Sequence, residues 1–102
     1  MASLVVFYKK PVDPAAFDRY YFETHIPLAK KLPGLRKYEV SQGPIVNPAA
    51  PTDIHLAAIL TFDDVAAVMR AYESPEGQAT AADVRKIATA GVDIVFFDTR
   101  EV

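Results

Sequence analysis

The chain has 102 residues, enough for one domain spanning 1–102 and too few for a second independent core. Its net charge of -2, from 11 basic and 13 acidic residues, gives no field that would draw nucleic acid, and the absence of cysteine excludes disulfides, thiolate metal sites and cysteine nucleophiles. Hydrophobic residues make up 51% of the chain, which argues against disorder and hints at more apolar surface than one small monomer can hide.

Ser3-Leu4-Val5-Val6-Phe7-Tyr8 is short and β-rich, and Pro11 ends it; this is the first strand. No basic leader precedes it, and no apolar run reaches the roughly 20 residues that span a bilayer, so a cytoplasmic protein without membrane contact is expected. Asp13-Pro14 is a helix start: the carboxylate accepts from free amides of the first turn, and proline there gives up no needed donor. The helix that follows carries Phe17, Tyr21, Leu28 and Leu32 near one face. Pro27 lies inside it. Its ring conflicts with the carbonyl of Glu23, so a kink or restart is expected near His25 and Ile26.

Leu32-Pro33-Gly34 reads as a turn and residues 35–41 as a second strand. Lys30, Lys31, Arg36 and Lys37 surround that turn and read as a solvated rim, since nothing elsewhere extends the cluster. Residues 43–51, with Pro44, Pro48 and Pro51, form a loop, and Ile54–Phe62 is the third strand. Asp63 is placed to cap a second helix carrying Val65, Val68, Met69 and Tyr72 at i, i+3, i+4 and i+7. Ser74-Pro75 opens a third helix bearing Val84, Ile87 and Ala88, which Gly91 closes, and residues 92–99 are the last strand.

The order β-α-β-β-α-β favours an α+β, ferredoxin-like fold: a four-stranded antiparallel sheet with helices on one face. A sheet with one wet face should alternate apolar and polar residues. The second strand does so through Leu35, Arg36, Lys37, Tyr38, Glu39 and Val40, but Leu4-Val5-Val6-Phe7, Leu56-Ala57-Ala58-Ile59-Leu60 and Ile94-Val95-Phe96-Phe97 are apolar on both faces. Helices can cover only one of them. A second copy packed sheet against sheet would cover the other, making a dimeric α+β barrel whose apolar interior is the expected small-molecule pocket. The aromatic group Phe7, Tyr8, Phe62, Phe96 and Phe97 is expected to be mainly core.

Few side chains can do chemistry. The two histidines and the scattered glycines supply no metal cluster, phosphate loop or nucleophile elbow, so neither metal nor cofactor is expected. His25 lies one turn beyond Tyr21 and two residues before Pro27. Two readings are open for it: a structural imidazole bonded to the distorted backbone, or a general base kept neutral by the positive end of a helix restarting at Pro27. Tyr38 shares a strand face with Arg36 and Val40 and either packs or offers its hydroxyl to a ligand. His55, at the start of the third strand, borders a pocket mouth or meets solvent. Asp63 and Asp64 are explained by capping.

The stretch Tyr20-Tyr21-Phe22-Glu23-Thr24-His25-Ile26-Pro27-Leu28-Ala29, continued by Leu32-Pro33-Gly34-Leu35-Arg36-Lys37-Tyr38, resembles the signature of the EthD family, and Ser74-Pro75-Glu76-Gly77-Gln78 is similar to its motif at the start of the last helix. The resemblance implies a homodimeric α+β barrel and an oxidoreductase-type label associated with breakdown of ethers and aromatic compounds. Relatives with this domain include muconolactone-type isomerases and polyketide-processing decarboxylases or dehydratases. Their cofactor-free proton transfer by a histidine and a tyrosine implies such roles for His25 and Tyr38. A histidine near the third strand of the isomerases corresponds to His55. The expected function is a small catabolic or accessory enzyme acting on an apolar or aromatic compound. The competing readings are a non-catalytic carrier of a hydrophobic metabolite and a cofactor-free monooxygenase.

Overall fold

The computed structural model describes residues 1–102. Its elements run β1 (Ala2–Lys9), α1 (Pro14–Tyr20), a π-helical turn (Tyr21–His25), α2 (Ile26–Ala29), β2 (Lys37–Val40), β3 (Ile54–Phe62), α3 (Val65–Glu73), α4 (Pro75–Ile87) and β4 (Val92–Asp98). The strands make one sheet in the order β2-β3-β1-β4, with each neighbouring pair antiparallel. With the helices on one face, this is the ferredoxin-like α+β arrangement that the order of elements implies.

The strand register separates two faces. Along β1, Ala2, Leu4, Val6 and Tyr8 are buried while Ser3, Val5, Phe7 and Lys9 are half-buried. Cross-strand partners point the same way. Leu4 therefore shares the helix-covered face with Leu60 and Phe96, and Val6 with Ala58 and Ile94. On the opposite face Val5 lies between Ile59 and Val95, and Ser3 between Thr61 and Phe97. Nothing in the chain covers this second face, where Ile59, Val95 and Phe97 are 41%, 51% and 47% exposed. Phe96 and Phe97 are thus not core, unlike Tyr8 and Phe62: Phe97 lies on the uncovered face, and Phe96 sits on the edge strand β4, its ring 6.0 Å from that of Tyr72 between centroids.

Local chemistry sets the helix boundaries. Asp13 caps α1 through the Ala16 amide (3.1 Å), and Ser74 caps α4 through the Gly77 amide (3.0 Å), each followed by the proline that starts the helix. The cap of α3 is Asp64, which accepts from Ala67 at 2.7 Å, rather than Asp63, which makes a two-pronged pair with Arg36 at 3.0 and 2.9 Å. Helix α4 stops at Ile87 with Ala88 as its cap; Gly91 sits later, at φ 116° in the turn into β4. The extended pairing of β2 is shorter than residues 35–41, although Arg36 and Ser41 still donate to β3 carbonyls at 2.8 and 2.7 Å.

Pro27 does not break the first helix. The chain instead widens to a π-helical turn over Tyr21–His25, with the Ile26 amide reaching back to the Tyr21 carbonyl, and resumes α-helical bonding at Lys30 to Ile26. The wider turn accommodates the proline that an α-helical turn would clash with. It also keeps Phe17, Tyr21, His25 and Ala29 buried along one stripe, so His25 faces inward between helix and sheet.

Candidate active site

Helices α3 and α4 meet the sheet through small side chains. Gly77 approaches α3 so closely that an added Cβ would lie 1.8 Å from the Ala71 carbonyl oxygen. What remains between helices and sheet is a cavity of about 270 Å³, 17 of whose 21 lining residues are hydrophobic. Leu4, Val6 and Leu60 form its floor, Val68, Ala71 and Val84 its helical wall, and Tyr8, Tyr21, His25, Tyr38 and Tyr72 bring polar atoms to it. The cavity of the single chain lies on the helix-covered face, whereas the interior expected between two facing sheets would form on the other face of the same sheet. The twofold apolar patterning of the strands does not say which face encloses a void, because that depends on how closely the helices approach.

His25 is 3% exposed and stands within this wall. Its Nδ1 lies 2.7 Å from Oδ2 of Asp83 on α4, and the other carboxylate oxygen accepts from the Tyr20 hydroxyl at 2.6 Å. Lys86 Nζ completes the chain, donating to the Tyr20 hydroxyl at 3.3 Å and lying 5.0 Å from the ring centroid. The helix terminus expected to act on His25 is absent, since the π-turn runs on into α2; a carboxylate takes its place. A carboxylate accepts only, so Nδ1 carries the proton of a neutral His25 and Nε2 is bare. No buried side-chain nitrogen or oxygen lacks a partner, and Nε2 makes no second hydrogen bond, so that atom is open to the cavity.

Tyr21 stacks on the imidazole, with centroids 5.1 Å apart, and its hydroxyl lies 2.7 Å from that of Tyr38. Tyr8 meets Tyr21 edge-on at 5.6 Å. Burial, above all, pushes the hydroxyls of Tyr8, Tyr21 and Tyr38 up from the ordinary 10.0, since the phenolate would sit in an apolar wall. The two hydroxyls share one hydrogen bond in which either oxygen can donate. Where Tyr21 is the donor, Tyr38 keeps its own proton for a molecule in the cavity.

His25 and Tyr38 are thus brought together, and His55 is not. A bulge between Tyr8 and Lys9 offsets the pairing at His55, whose Nε2 lies 2.7 Å from Oδ1 of Asp18 while its ring stands edge-on to Phe17 at 5.5 Å. It ties α1 to β3 outside the cavity. Sequence reasoning missed Asp83, Tyr20 and the hydroxyl of Tyr21. Asp83 sits 58 residues from His25 in an alanine-rich helix, so no local spacing marks it; Tyr20 and Tyr21 stand out only as an aromatic pair in a helix. No three histidine or acidic side chains cluster as a metal site would need, and no helix is long and apolar enough to cross a membrane.

Several known proteins share this architecture. A protein of Rhodococcus erythropolis, 11.0 kDa and encoded in the thcB-thcC intergenic region, is 35% identical over 102 residues, covering 100% of this chain and 98% of its own. An ethyl tert-butyl ether d (EthD) family protein of Bacillus halodurans C-125 superposes with a TM-score of 0.88 at 31% identity, over 98% of this chain and 99% of that one. At the level of fold alone, a hydroxynitrile lyase of Passiflora edulis (TM-score 0.76, 16% identity, 99% and 94% covered) and the cofactor-independent oxygenase SnoaB of Streptomyces nogalater (0.68, 20%, 99% and 94%) are similar. Ferredoxin-like neighbours from Bacteroides fragilis and Jannaschia are described as dimeric. The EthD domain model matches residues 9–91, a span that contains the π-turn, His25, Tyr38 and Asp83, and the chain belongs to the EthD family.

Proposed function

We propose that the chain is an acid/base enzyme needing no cofactor, acting on a small, largely apolar carbonyl compound held between helices and sheet. One observation carries this reading: a buried imidazole whose Nδ1 is held by Asp83 and whose Nε2 opens on an apolar cavity beside a tyrosine hydroxyl pair. Nε2 takes the proton from a carbon next to the carbonyl, and the electron pair left by the C–H bond moves onto oxygen. The Tyr38 hydroxyl donates to that enolate oxygen, with Tyr21 donating in turn to Tyr38. His25 then returns the proton to the same or another carbon. General base catalysis contributes roughly 10²–10⁴-fold, and one preorganised donor at a developing oxyanion about 10²–10³-fold. A low-dielectric wall strengthens both.

Deuterium uptake tests the reading before any reaction is identified. A panel of enolisable aromatic ketones, aldehydes and lactones incubated in D2O should exchange in the presence of the wild type and not with His25→Ala, and Tyr38→Phe should slow exchange about 10²-fold. Exchange that survives His25→Ala undiminished contradicts the assignment, as does a wild type that exchanges none of the panel.

A second reading, a carrier of an apolar metabolite, is favoured by the largely hydrophobic lining. Under it His25→Gln keeps full function as well as binding. An oxygenase reading begins from the same deprotonation, with molecular oxygen as co-reactant for the carbanion, and is separated by oxygen uptake with a quinol. The assembly in every case is a homodimer in which a second copy covers Ile59, Val95 and Phe97, as their exposure and the dimeric neighbours suggest.

A further inference from the structure

The cavity carries one full positive charge and no negative one. Apart from the tyrosine hydroxyls, its polar side chains are His25, Thr80 and Arg85, with Gly77 the remaining residue outside the hydrophobic set. Thr80 spends its hydroxyl on the Glu76 carbonyl at 2.8 Å. Arg85 takes part in none of the side-chain hydrogen bonds and none of the five ion pairs, whereas Arg36 is clamped by Asp63. On α4, Gly77, Ala81 and Arg85 follow one another at i+4 steps along one row, so the arginine ends a strip of small residues that opens the wall. Asp83, two positions earlier, is turned to His25 and Tyr20 and both its oxygens are occupied. The guanidinium is therefore an exposed, unpaired fork of donors at the rim of an otherwise apolar space.

We infer that Arg85 is an anion subsite, and that the molecule taken by this cavity is amphipathic: an apolar body of about one or two rings, buried against Leu60, Val68 and Val84, and a carboxylate at its solvent end. The body supplies binding through burial, while the carboxylate paired with Arg85 sets which end faces His25. This rests on the cavity being the ligand site, and it narrows the substrate class of that reading to aromatic or alicyclic acids. A net charge of -2 makes the point sharper, since the chain offers no general attraction for anions.

The test uses two probes of the same shape, 2-naphthoate and 2-naphthamide, titrated calorimetrically into the wild type, Arg85→Gln and Arg85→Lys. The wild type should bind the carboxylate about tenfold more tightly than the amide, as one charge-assisted pair predicts. Arg85→Gln should erase that preference while binding the amide as before, and Arg85→Lys should retain most of it. Equal affinities in the wild type, or a preference that survives Arg85→Gln, overturns the subsite and leaves the cavity standing. Failure of both probes to bind the wild type overturns the subsite and the cavity reading together.

Discussion

The two faces of the sheet are built from neighbouring residues and have opposite fates. On β3, Leu60 and Phe62 point to the helices and are 4% and 0% exposed, while Ile59 between Ala58 and Leu60 points away and is 41% exposed. Residue type does not separate them, since both sets are aliphatic or aromatic; position relative to the helical layer does. The covered face has been made imperfect, with small side chains on α3 and α4 leaving a void bordered by tyrosines and His25. The open face offers Val5, Ile59, Val95 and Phe97. The cavity lies where packing is incomplete, and the uncovered face is the one left for assembly in the proposed homodimer.

The largest expected effects widen this contrast. Phe62→Ala should destabilise the chain by about 3–5 kcal/mol through loss of burial and the hole left behind. Ile59→Ala should shift unfolding of the lone chain by only about 0.5 kcal/mol or less. If the proposed homodimer forms through this face, Ile59→Asp should leave the fold intact and yield a monomer, read by light scattering; equal losses of stability at both positions in denaturant melts of the lone chain would erase the distinction between the faces.

Next comes the buried polar set. Asp83→Ala leaves the Nδ1–H of His25 and the hydroxyl of Tyr20 without their acceptor and should cost about 1–3 kcal/mol. Asp83→Asn keeps the shape and should cost less in stability, while long-range nitrogen–proton spectra of His25 show the ring proton moving between nitrogens. An unchanged tautomer in that variant would show that Asp83 does not orient the imidazole. Ser74→Ala removes both the cap to Gly77 and the hydroxyl bond to the Ala71 carbonyl (2.6 Å), and should cost about 1 kcal/mol.

The pH effects are smaller and opposite in direction at the two extremes. Tyr8, Tyr21 and Tyr38 are raised in the folded chain, so their contribution is fully present below the ordinary 10.0 and is lost as pH rises beyond it. Ultraviolet titration should show these phenols ionising only with unfolding; normal titration near pH 10 would place them in water. Asp63 is lowered by the hydrogen bonds from Arg36, so its contribution is present above the ordinary 3.8 and fades as pH falls below it. Because that pair is on the surface and largely exposed, Arg36→Ala should change melting slightly, and only above that range.

Much of the fold was legible because it rests on local signals. Asp13-Pro14 and Ser74-Pro75 announce helix starts by hydrogen-bond chemistry alone, and Ile54–Phe62 announces a strand by its run of apolar residues. His25 and Tyr38 could be singled out, but their meeting depends on Tyr21 and on the inward stripe that the π-turn preserves. Pro27 reveals that the helix must adjust, not that it widens instead of breaking. Asp83 and Arg85 were invisible as site residues, because one is paired across 58 residues and the other matters through a void that no spacing encodes. The cavity on the helix-covered face was not legible for the same reason: strands that are apolar on both sides leave the fit of the helices unsaid.

The central claim, that ligand chemistry belongs to the helix-covered face, is tested most directly by titrating 2-naphthoate into isotope-labelled protein and following amide, methyl and imidazole resonances. The account predicts shifts concentrated at His25, Leu60, Val68 and Val84, with His55, Ile59 and Val95 unmoved. Shifts centred on Ile59, Val95 and Phe97, with His25 silent, would place the ligand on the open face and contradict it.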